Sequence, residues 1–437
     1  MARTYNFLKI VSQKLKGENN RRPLLIFILL PLVCIPLPYQ ANSIALILFT
    51  LATIVTFKKR NFRPDRVLML PILLYFLMLL SLLWTIDMVE SAPSISKELP
   101  LLVIPFCFMA MPLVPADIRQ KIIRYFSFAM AGFSVFYLIK AVVRFVASGD
   151  TGVFFYHELV TKDVNAIYVS ALVGTAFFYF LAKLRKSALE MLATAILLAV
   201  LILLSSKNVI ATCLILGVIY FAFFSNLSNK AKWAGAGIAA LLIASLAFVP
   251  EIRDRFNIEL STITTDNTVN YSVGDGNVHN ISIRQAWNNE RFEQSDFFPG
   301  TAFRVYQFRI FLEMMAEDNA WLLGYGLNAS YDKIEKKTLS YNLFSGDANV
   351  EGYQKKNFHN QYIQAFADLG VAGFLLIVAM LAVNLKNGIK RKDFVHISFA
   401  VLMISLFLTE SFLWRQRGVT FFTMMFCLLN VGSHRKE

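Results

Sequence analysis

Charged residues are scarce in this 437-residue chain, and that scarcity excludes an ordinary soluble domain. The chain is 16% charged and 56% hydrophobic, whereas soluble proteins are roughly a quarter charged and about half apolar. Forty phenylalanines and repeated apolar runs of about 18 residues or more are typical of membrane-spanning helices. The first run, from Pro23, has no small-residue cleavage site after it, so we expect a retained span and not a signal peptide.

Cysteine and histidine are also rare, which removes two common kinds of site. The four cysteines all lie within apolar runs, so we predict neither a disulfide framework nor a CxxC metal site: Cys34, Cys107, Cys213 and Cys427. The chain has only five histidines, and no external set of histidines and carboxylates has the spacing of metal ligands. We therefore expect a protein that works without a metal or another cofactor.

Hydropathy predicts an all-α polytopic membrane protein with about twelve transmembrane helices. The predicted spans are 23–39, 42–57, 67–84, 99–114, 122–147, 166–182, 188–204, 209–225, 234–249, 361–383, 395–413 and 418–431. One large, partly ordered loop separates the ninth span from the tenth. The sequence thus predicts an N-terminal membrane region (1–249), a loop domain (250–358) and a C-terminal membrane region (359–437). Within the loop, the alternation in "TVNYSVGDGNVHNISI" predicts a β-hairpin.

The basic residues follow the membrane topology. A net charge of +14 would suit a nucleic-acid-binding protein, but these residues occupy alternate short links between spans, so we expect no nucleic-acid partner. The basic links are the N-terminal arm with Arg21 and Arg22, 58–66, 117–124, 183–186, 229–232 and 386–392. By the positive-inside rule these links and both termini face the cytoplasm, and the long loop is external.

Cations on the external side are informative because topology does not require them there. Lys207 lies in a short external turn, "SSKN", where it either snorkels to the interface or meets an anion. In the loop, Arg309, Glu313 and Glu317 form one helical stripe, and Arg304 lies near the opposite side. We expect this helix to lie on the membrane with its apolar face down. Arg304 then binds either phosphate oxygens or an acidic side chain such as Glu410.

Two further external segments carry polar groups. "TESFLWRQRGV" places Glu410, Arg415 and Arg417 at the end of the eleventh span, where they form an internal salt bridge or contact an anion. His359 lies at the start of the tenth span, as a polar cap and anchor or as a general base. A helix N-terminus and nearby cations disfavour the imidazolium. His157, in the external link 148–165, is a candidate acceptor contact.

The C-terminal part of the chain resembles the O-antigen ligase and polymerase superfamily of bacterial inner-membrane glycosyltransferases. The resemblance is carried by "AFRVYQFRIFLEMMAEDNAWLLGYGLNA", an arginine helix followed by a Gly-x-Gly turn, by "FHNQYIQAFADLGVAGFL", and by "LTESFLWRQRGVTFF". The late position of the large loop matches as well. One departure is Lys207, since relatives commonly have Ser-Arg in this turn. Lysine keeps the charge but loses the bidentate fork of arginine.

The resemblance implies an inverting, metal-independent transfer of a glycan from undecaprenyl pyrophosphate to an acceptor hydroxyl at the periplasmic face. Arg304 and Lys207 would hold the pyrophosphate, and His359 would be the general base. We favour a ligase with lipid A–core as its acceptor, because one long, partly ordered loop suits a bulky acceptor. The alternatives are a polymerase of repeat units in the same superfamily and a flippase or transporter of lipid-linked sugars. A flippase would need charges deep in several spans.

Overall fold

The computed structural model describes residues 22–162, 164–204, 206–225, 228, 230, 250–270, 278–347 and 350–432. The ninth predicted span, 234–249, lies outside them. The helices are α1 (Arg22–Val33), α2 (Tyr39–Thr56), α3 (Met69–Leu80), α4 (Met88–Glu98), α5 (Pro100–Ala110), α6 (Ala116–Ser148), α7 (Tyr156–Leu159), α8 (Ala166–Ala182), α9 (Ala188–Leu203), α10 (Lys207–Ile219), α11 (Pro250–Thr264), α12 (Ile283–Asn288), α13 (Gly300–Glu317), α14 (Ser330–Ser340), α15 (Gln361–Lys390), α16 (Phe394–Phe407) and α17 (Gln416–Asn430). The strands are β1 (Thr268–Asn270), β2 (Val278–Asn280) and β3 (Asp296–Phe297).

The fold is that of an all-α membrane protein. Within the described ranges, five helical segments are long and apolar enough to cross a membrane: Tyr39–Thr56, Met88–Ala110, Ala116–Ser148, Lys207–Phe224 and Gln361–Lys390. Shorter apolar helices accompany them: Leu24–Val33, Met69–Leu83, Ala166–Ala182, Ala188–Leu203 and Phe394–Phe407. Together, these long and short apolar helices overlap every predicted span except 234–249 and 418–431. Helix α17 occupies the position of the predicted span 418–431. The total of twelve spans and the domain boundaries stay predictions.

In the part of the chain that the structure describes, apolar side chains form two separate cores. The larger core lies among the membrane helices and includes Phe126, Phe178, Phe399 and Phe421. The second lies within the loop, and its members include Phe292, Phe298, Tyr306, Phe311 and Phe358. The second core shows that the expected position of the arginine helix was wrong. The apolar face of α13 packs inside the loop and does not lie on the membrane, because the loop supplies enough apolar side chains to cover it.

The opposite face of α13 carries the predicted polar stripe. Arg309 Nε lies 2.9 Å from Glu313 Oε1, and Arg309 Nη2 donates to the Tyr341 hydroxyl at 2.8 Å. Lys337 of α14 bridges Glu313 and Glu317 at 3.2 and 2.5 Å. The stripe therefore fixes α13 against α14, and Arg304 projects from another side of the helix.

A small sheet lies at the start of the loop. Strands β1 and β2 pair antiparallel with Val269 opposite His279, as the predicted hairpin requires. The turn between them, 271–277, lies outside the described residues. Strand β3 pairs parallel with β2, with Asp296 opposite His279, and it leads directly into α13.

The Gly-Tyr-Gly turn of the loop closes a break in α15. Gly370 has a φ of +64°, which interrupts this long helix and leaves nearby carbonyl groups without helical partners. Tyr325 N donates to Ala367 O at 2.8 Å, and Gly326 N donates to Asp368 O at 2.9 Å. The turn thus anchors the loop to a membrane helix just after the segment that contains His359.

We expect Gly326→Ala to destabilise this anchor. Gly326 has a φ of +99°, and an added Cβ would lie 2.4 Å from Thr85 Cβ. Strain at such a backbone position costs about 1–3 kcal/mol, and the overlap with Thr85 adds to it. The variant should unfold at a lower temperature in detergent. Gly132→Ala is the matched control, because nothing lies within 4 Å of its added Cβ, and it should unfold at the native temperature. If Gly326→Ala also unfolded at the native temperature, Gly326 would not be needed at this turn.

Candidate active site

Lys207 and Arg304 line one cavity of about 580 Å³. Lys207 is the first residue of α10 in the membrane region, and Arg304 lies in the first two turns of α13 in the loop. They are far apart in sequence, so their convergence depends on how the loop docks onto the membrane helices. The structure brings together two of the external cations that the sequence analysis had singled out.

Backbone carbonyl groups position Arg304. Its Nη1 donates to Gly300 O at 2.8 Å, while Nε and Nη2 donate to Thr409 O at 3.2 and 2.8 Å. These bonds use three of the five N–H donors of a guanidinium, which leaves donors for a ligand in the cavity. Burial lowers the pKa of Arg304, and the negative charges of Glu410 and Glu259 oppose that shift. Arginine stays protonated under these conditions.

A carboxylate that the sequence analysis missed pairs with Lys207. Glu259 of α11 places Oε1 2.9 Å from Lys207 Nζ. Its Oε2 accepts a hydrogen bond from the backbone N of Thr301, at the N-terminus of α13, at 3.1 Å. Burial alone would raise the pKa of Glu259, but the hydrogen bonds from Thr301 and the Lys207 ammonium outweigh it and hold the pKa below its usual value. Glu259 is therefore ionised at neutral pH.

Asn208 fixes the Lys207 turn relative to Arg304. Its Nδ2 donates to Ser405 O and to Thr409 Oγ1, both at 2.7 Å. Thr409 is also the residue whose carbonyl group accepts from Arg304. Thr409, just after α16, therefore binds both Arg304 and the residue that follows Lys207. Asn208 follows Lys207 directly in "SSKN", but its partners lie some two hundred residues away in sequence.

His359 lies beside Glu410, the residue after Thr409. The distance from His359 Nδ1 to Glu410 Oε2 is 3.5 Å, and the Glu410 side chain is buried. The sequence analysis offered Glu410 as a partner for Arg304 or for the two nearby arginines. In the described part of the chain, the basic side chain that lies within 4 Å of its carboxylate is His359. The sequence analysis considered only cations near the imidazole. The structure places a carboxylate against one of its ring nitrogens.

His359 lies just before α15 and has a non-helical backbone. Asn360, and not His359, caps this helix, since its side chain accepts from the backbone N of Tyr362 and Ile363. His359 has a φ of +46°, a left-handed conformation that few non-glycine residues adopt. Its N–H donates to Asn357 Oδ1 at 2.9 Å, and its ring meets Phe303 edge-on with centroids 5.8 Å apart. Phe303 precedes Arg304 in the chain, but neither Phe303 nor His359 lines the cavity of Lys207 and Arg304.

The other predicted site residues line a second cavity, of about 590 Å³. Its lining includes His157, Lys162, Arg415 and Arg417, together with Tyr39, Gln40 and Asn165. Adjacent residues separate the two cavities: Tyr156 lines the first and His157 the second. The segment from Thr409 to Arg417 likewise contributes to both, with Glu410 near its start. The predicted residues therefore form two neighbouring groups and not one cluster.

The two arginines of the second cavity, Arg415 and Arg417, differ in solvent exposure. Arg417 is buried, donates from Nη2 to Leu37 O at 2.8 Å, and lies 4.0 Å over the Tyr39 ring. These contacts join α17 to the link between α1 and α2, and the internal salt bridge that was the structural alternative for this residue stays a prediction. Arg415 is exposed beside Trp414. His157 Nδ1 accepts weakly from Ala166 N at 3.4 Å.

Among the residues that the structure describes, no group of three or more histidine, cysteine or carboxylate side chains is arranged to hold a metal ion. A mechanism without a metal or another cofactor stays a prediction.

Comparison with known proteins gives one informative match. No curated protein matches the chain. A family model described as O-Antigen ligase matches residues 191–378, a segment that contains Lys207, Glu259, Arg304 and His359. This match confirms the resemblance seen in the sequence motifs: residues 191–378 match the O-antigen ligase family.

Proposed function

We propose that this protein is an O-antigen ligase that transfers a glycan from undecaprenyl pyrophosphate to an acceptor hydroxyl, most simply one of lipid A–core. The reaction would take place at the periplasmic face of the bacterial inner membrane. The observation that carries the proposal is the convergence of Lys207 and Arg304 on one cavity. His359 contacts Phe303, the residue before Arg304. One cation comes from a membrane helix and the other from the loop, as expected for a ligand whose tail is in the bilayer and whose head group is outside.

The cations of the first cavity suit a pyrophosphate leaving group. When the bond between the anomeric carbon and the phosphate oxygen breaks, its electron pair stays on the pyrophosphate. Donors fixed in advance at that position stabilise the developing charge in the transition state more than in the ground state. Arg304 is held by three hydrogen bonds to carbonyl groups, so its remaining donors point into the cavity without needing to reorganise.

His359 is suited to take the proton from the acceptor. If Nδ1–H points at Glu410, the lone pair is on Nε2, and Glu410 stabilises the imidazolium that forms when Nε2 accepts the hydroxyl proton. The acceptor oxygen then bonds to the anomeric carbon as the pyrophosphate leaves, and attack from the opposite side inverts the anomeric centre. Glu410 acts here as a positioning residue. The 3.5 Å separation is in the range in which catalytic contacts tighten on substrate binding.

The second cavity is the proposed acceptor side. Lys162 and Arg415 are exposed there, and His157 lies next to the residue that lines the donor cavity. Cationic and amide groups can bind the phosphate or carboxylate substituents of an acidic acceptor glycan. In this arrangement donor and acceptor approach the His359–Glu410 pair from neighbouring cavities.

The surface glycan of a deletion strain tests the proposed function and its alternatives. Core without any O-chain is the result expected of a ligase. Core that carries a single repeat would instead identify a polymerase, and cytoplasmic build-up of lipid-linked repeats would identify a flippase.

The proposed topology places the loop domain (250–358) in the periplasm and both termini in the cytoplasm. Ser295 of the loop and Lys390 at the end of α15 are both exposed, so cysteines at either position can react. In a cysteine-free background, a membrane-impermeant thiol reagent should label the Ser295→Cys variant and spare the Lys390→Cys variant in intact cells. The reverse pattern would place the candidate site on the cytoplasmic side.

A further inference from the structure

We infer that Glu259 occupies the anion position of the donor site when that site is empty, and that the donor pyrophosphate displaces it. This inference rests on the proposed function of the Lys207–Arg304 cavity. It assigns to Glu259 a specific role: the residue sets the affinity for the donor and the release of undecaprenyl pyrophosphate.

The contacts of Glu259 are those that a phosphate would make. One carboxylate oxygen meets the ammonium of Lys207 at 2.9 Å, and the other accepts from the backbone N of Thr301 at 3.1 Å. Thr301 lies in the first turn of α13, where unpaired N–H groups and the helix dipole favour an anion. A lysine ammonium and a helix N-terminus both converge on these oxygens, with the Arg304 guanidinium at the same cavity wall.

Position and charge make displacement necessary. Glu259 lines the same cavity as Lys207 and Arg304, so a pyrophosphate held by both cations would lie against its carboxylate. Juxtaposed like charges disfavour binding strongly. When the Glu259 carboxylate leaves, the site carries one negative charge fewer as the donor binds.

The surroundings of Glu259 allow its side chain to move. The Glu259 side chain is itself partly exposed, and Asn257 and Leu260 beside it on α11 are exposed, so solvent reaches this part of the helix. In the empty protein the ion pair keeps Lys207 directed into the cavity. After transfer, the returning carboxylate competes with the product pyrophosphate and promotes its release.

The test is the affinity of the purified full-length protein for inorganic pyrophosphate, measured by isothermal titration calorimetry. Glu259→Gln keeps the size of the side chain and removes its charge, and we expect a Kd at least about tenfold lower than that of the native protein, since a like charge has been removed from the site. Glu290→Gln is the matched control, because Glu290 is exposed on the same loop, and its Kd should be native. If Glu259→Gln does not fold, Glu259→Ser removes the same charge.

An unchanged or higher Kd for Glu259→Gln would overturn the inference. A higher value would mean that Glu259 only orients Lys207. Lys207→Gln separates this failure from that of the proposed function. If Lys207→Gln binds pyrophosphate more weakly than the native protein, the cavity is the anion site whatever Glu259 does. If Lys207→Gln and the native protein bind it equally, or neither binds it, the proposed donor site itself is wrong.

Discussion

Replacement of His359 is expected to remove most of the transfer rate while the protein still binds its donor. Loss of a general base typically costs about 10²–10⁴ in rate, because the acceptor hydroxyl must then attack without giving its proton to a placed nitrogen. The lipid-linked donor contacts Lys207 and Arg304 in this account, so its affinity should stay near native. Single-turnover transfer and donor binding, measured on the purified variant, separate the two effects.

The choice of variant matters because His359 has a φ of +46°. Alanine is strained there, so His359→Ala would mix a loss of stability with the loss of a base. Asparagine tolerates this region of backbone conformation better, which makes His359→Asn the cleaner substitution. We expect it to unfold at a near-native temperature and to transfer at a small fraction of the native rate. A variant that keeps most of its rate would leave His359 as an interfacial anchor only.

Arg304→Lys is expected to impair transfer severely although the protein inserts and accumulates. Lysine keeps the positive charge but cannot reproduce the planar fork that binds Gly300 O and Thr409 O and still presents donors to the cavity. The loss should appear as weaker donor binding and a slower chemical step together, because pyrophosphate is stabilised both on binding and on leaving.

Arg309→Lys, on the same helix, is the matched control for Arg304→Lys. Arg309 binds Asn289 O, Glu313 and Tyr341 within the loop and lies away from the donor cavity. Its replacement should lower the unfolding temperature and leave transfer per folded molecule near native. If both variants transferred at the native rate, the argument from the direction in which Arg304 projects would be wrong.

The sequence predicts the helices of this fold well, because long apolar runs in a membrane leave the backbone few alternatives. It also singles out Arg304 and Lys207 as candidate site residues, because the positive-inside rule does not require cations on the external side. It could not predict that α13 packs inside the loop, because the same apolar face suits a membrane surface and a protein core equally well.

The partners of the site residues were beyond sequence reasoning. Glu259 lies on a polar helix with no motif, and its pairing with Lys207 follows only from how α11, α13 and α10 meet. The pair between His359 and Glu410 depends on the docking of α15 beside the end of α16. Both pairs join residues about fifty positions apart in the chain, so no local sequence pattern could have predicted them.

The most direct measurement of the central claim is transfer by proteoliposomes that contain only the purified protein, with a lipid-linked glycan donor and a lipid A–core acceptor. The account predicts glycosylated acceptor and undecaprenyl pyrophosphate in equal amounts, with an inverted anomeric centre, and a product formed by the His359→Asn variant at only a small fraction of the native rate. Movement of the intact donor to the other leaflet without any glycosylated acceptor would contradict it.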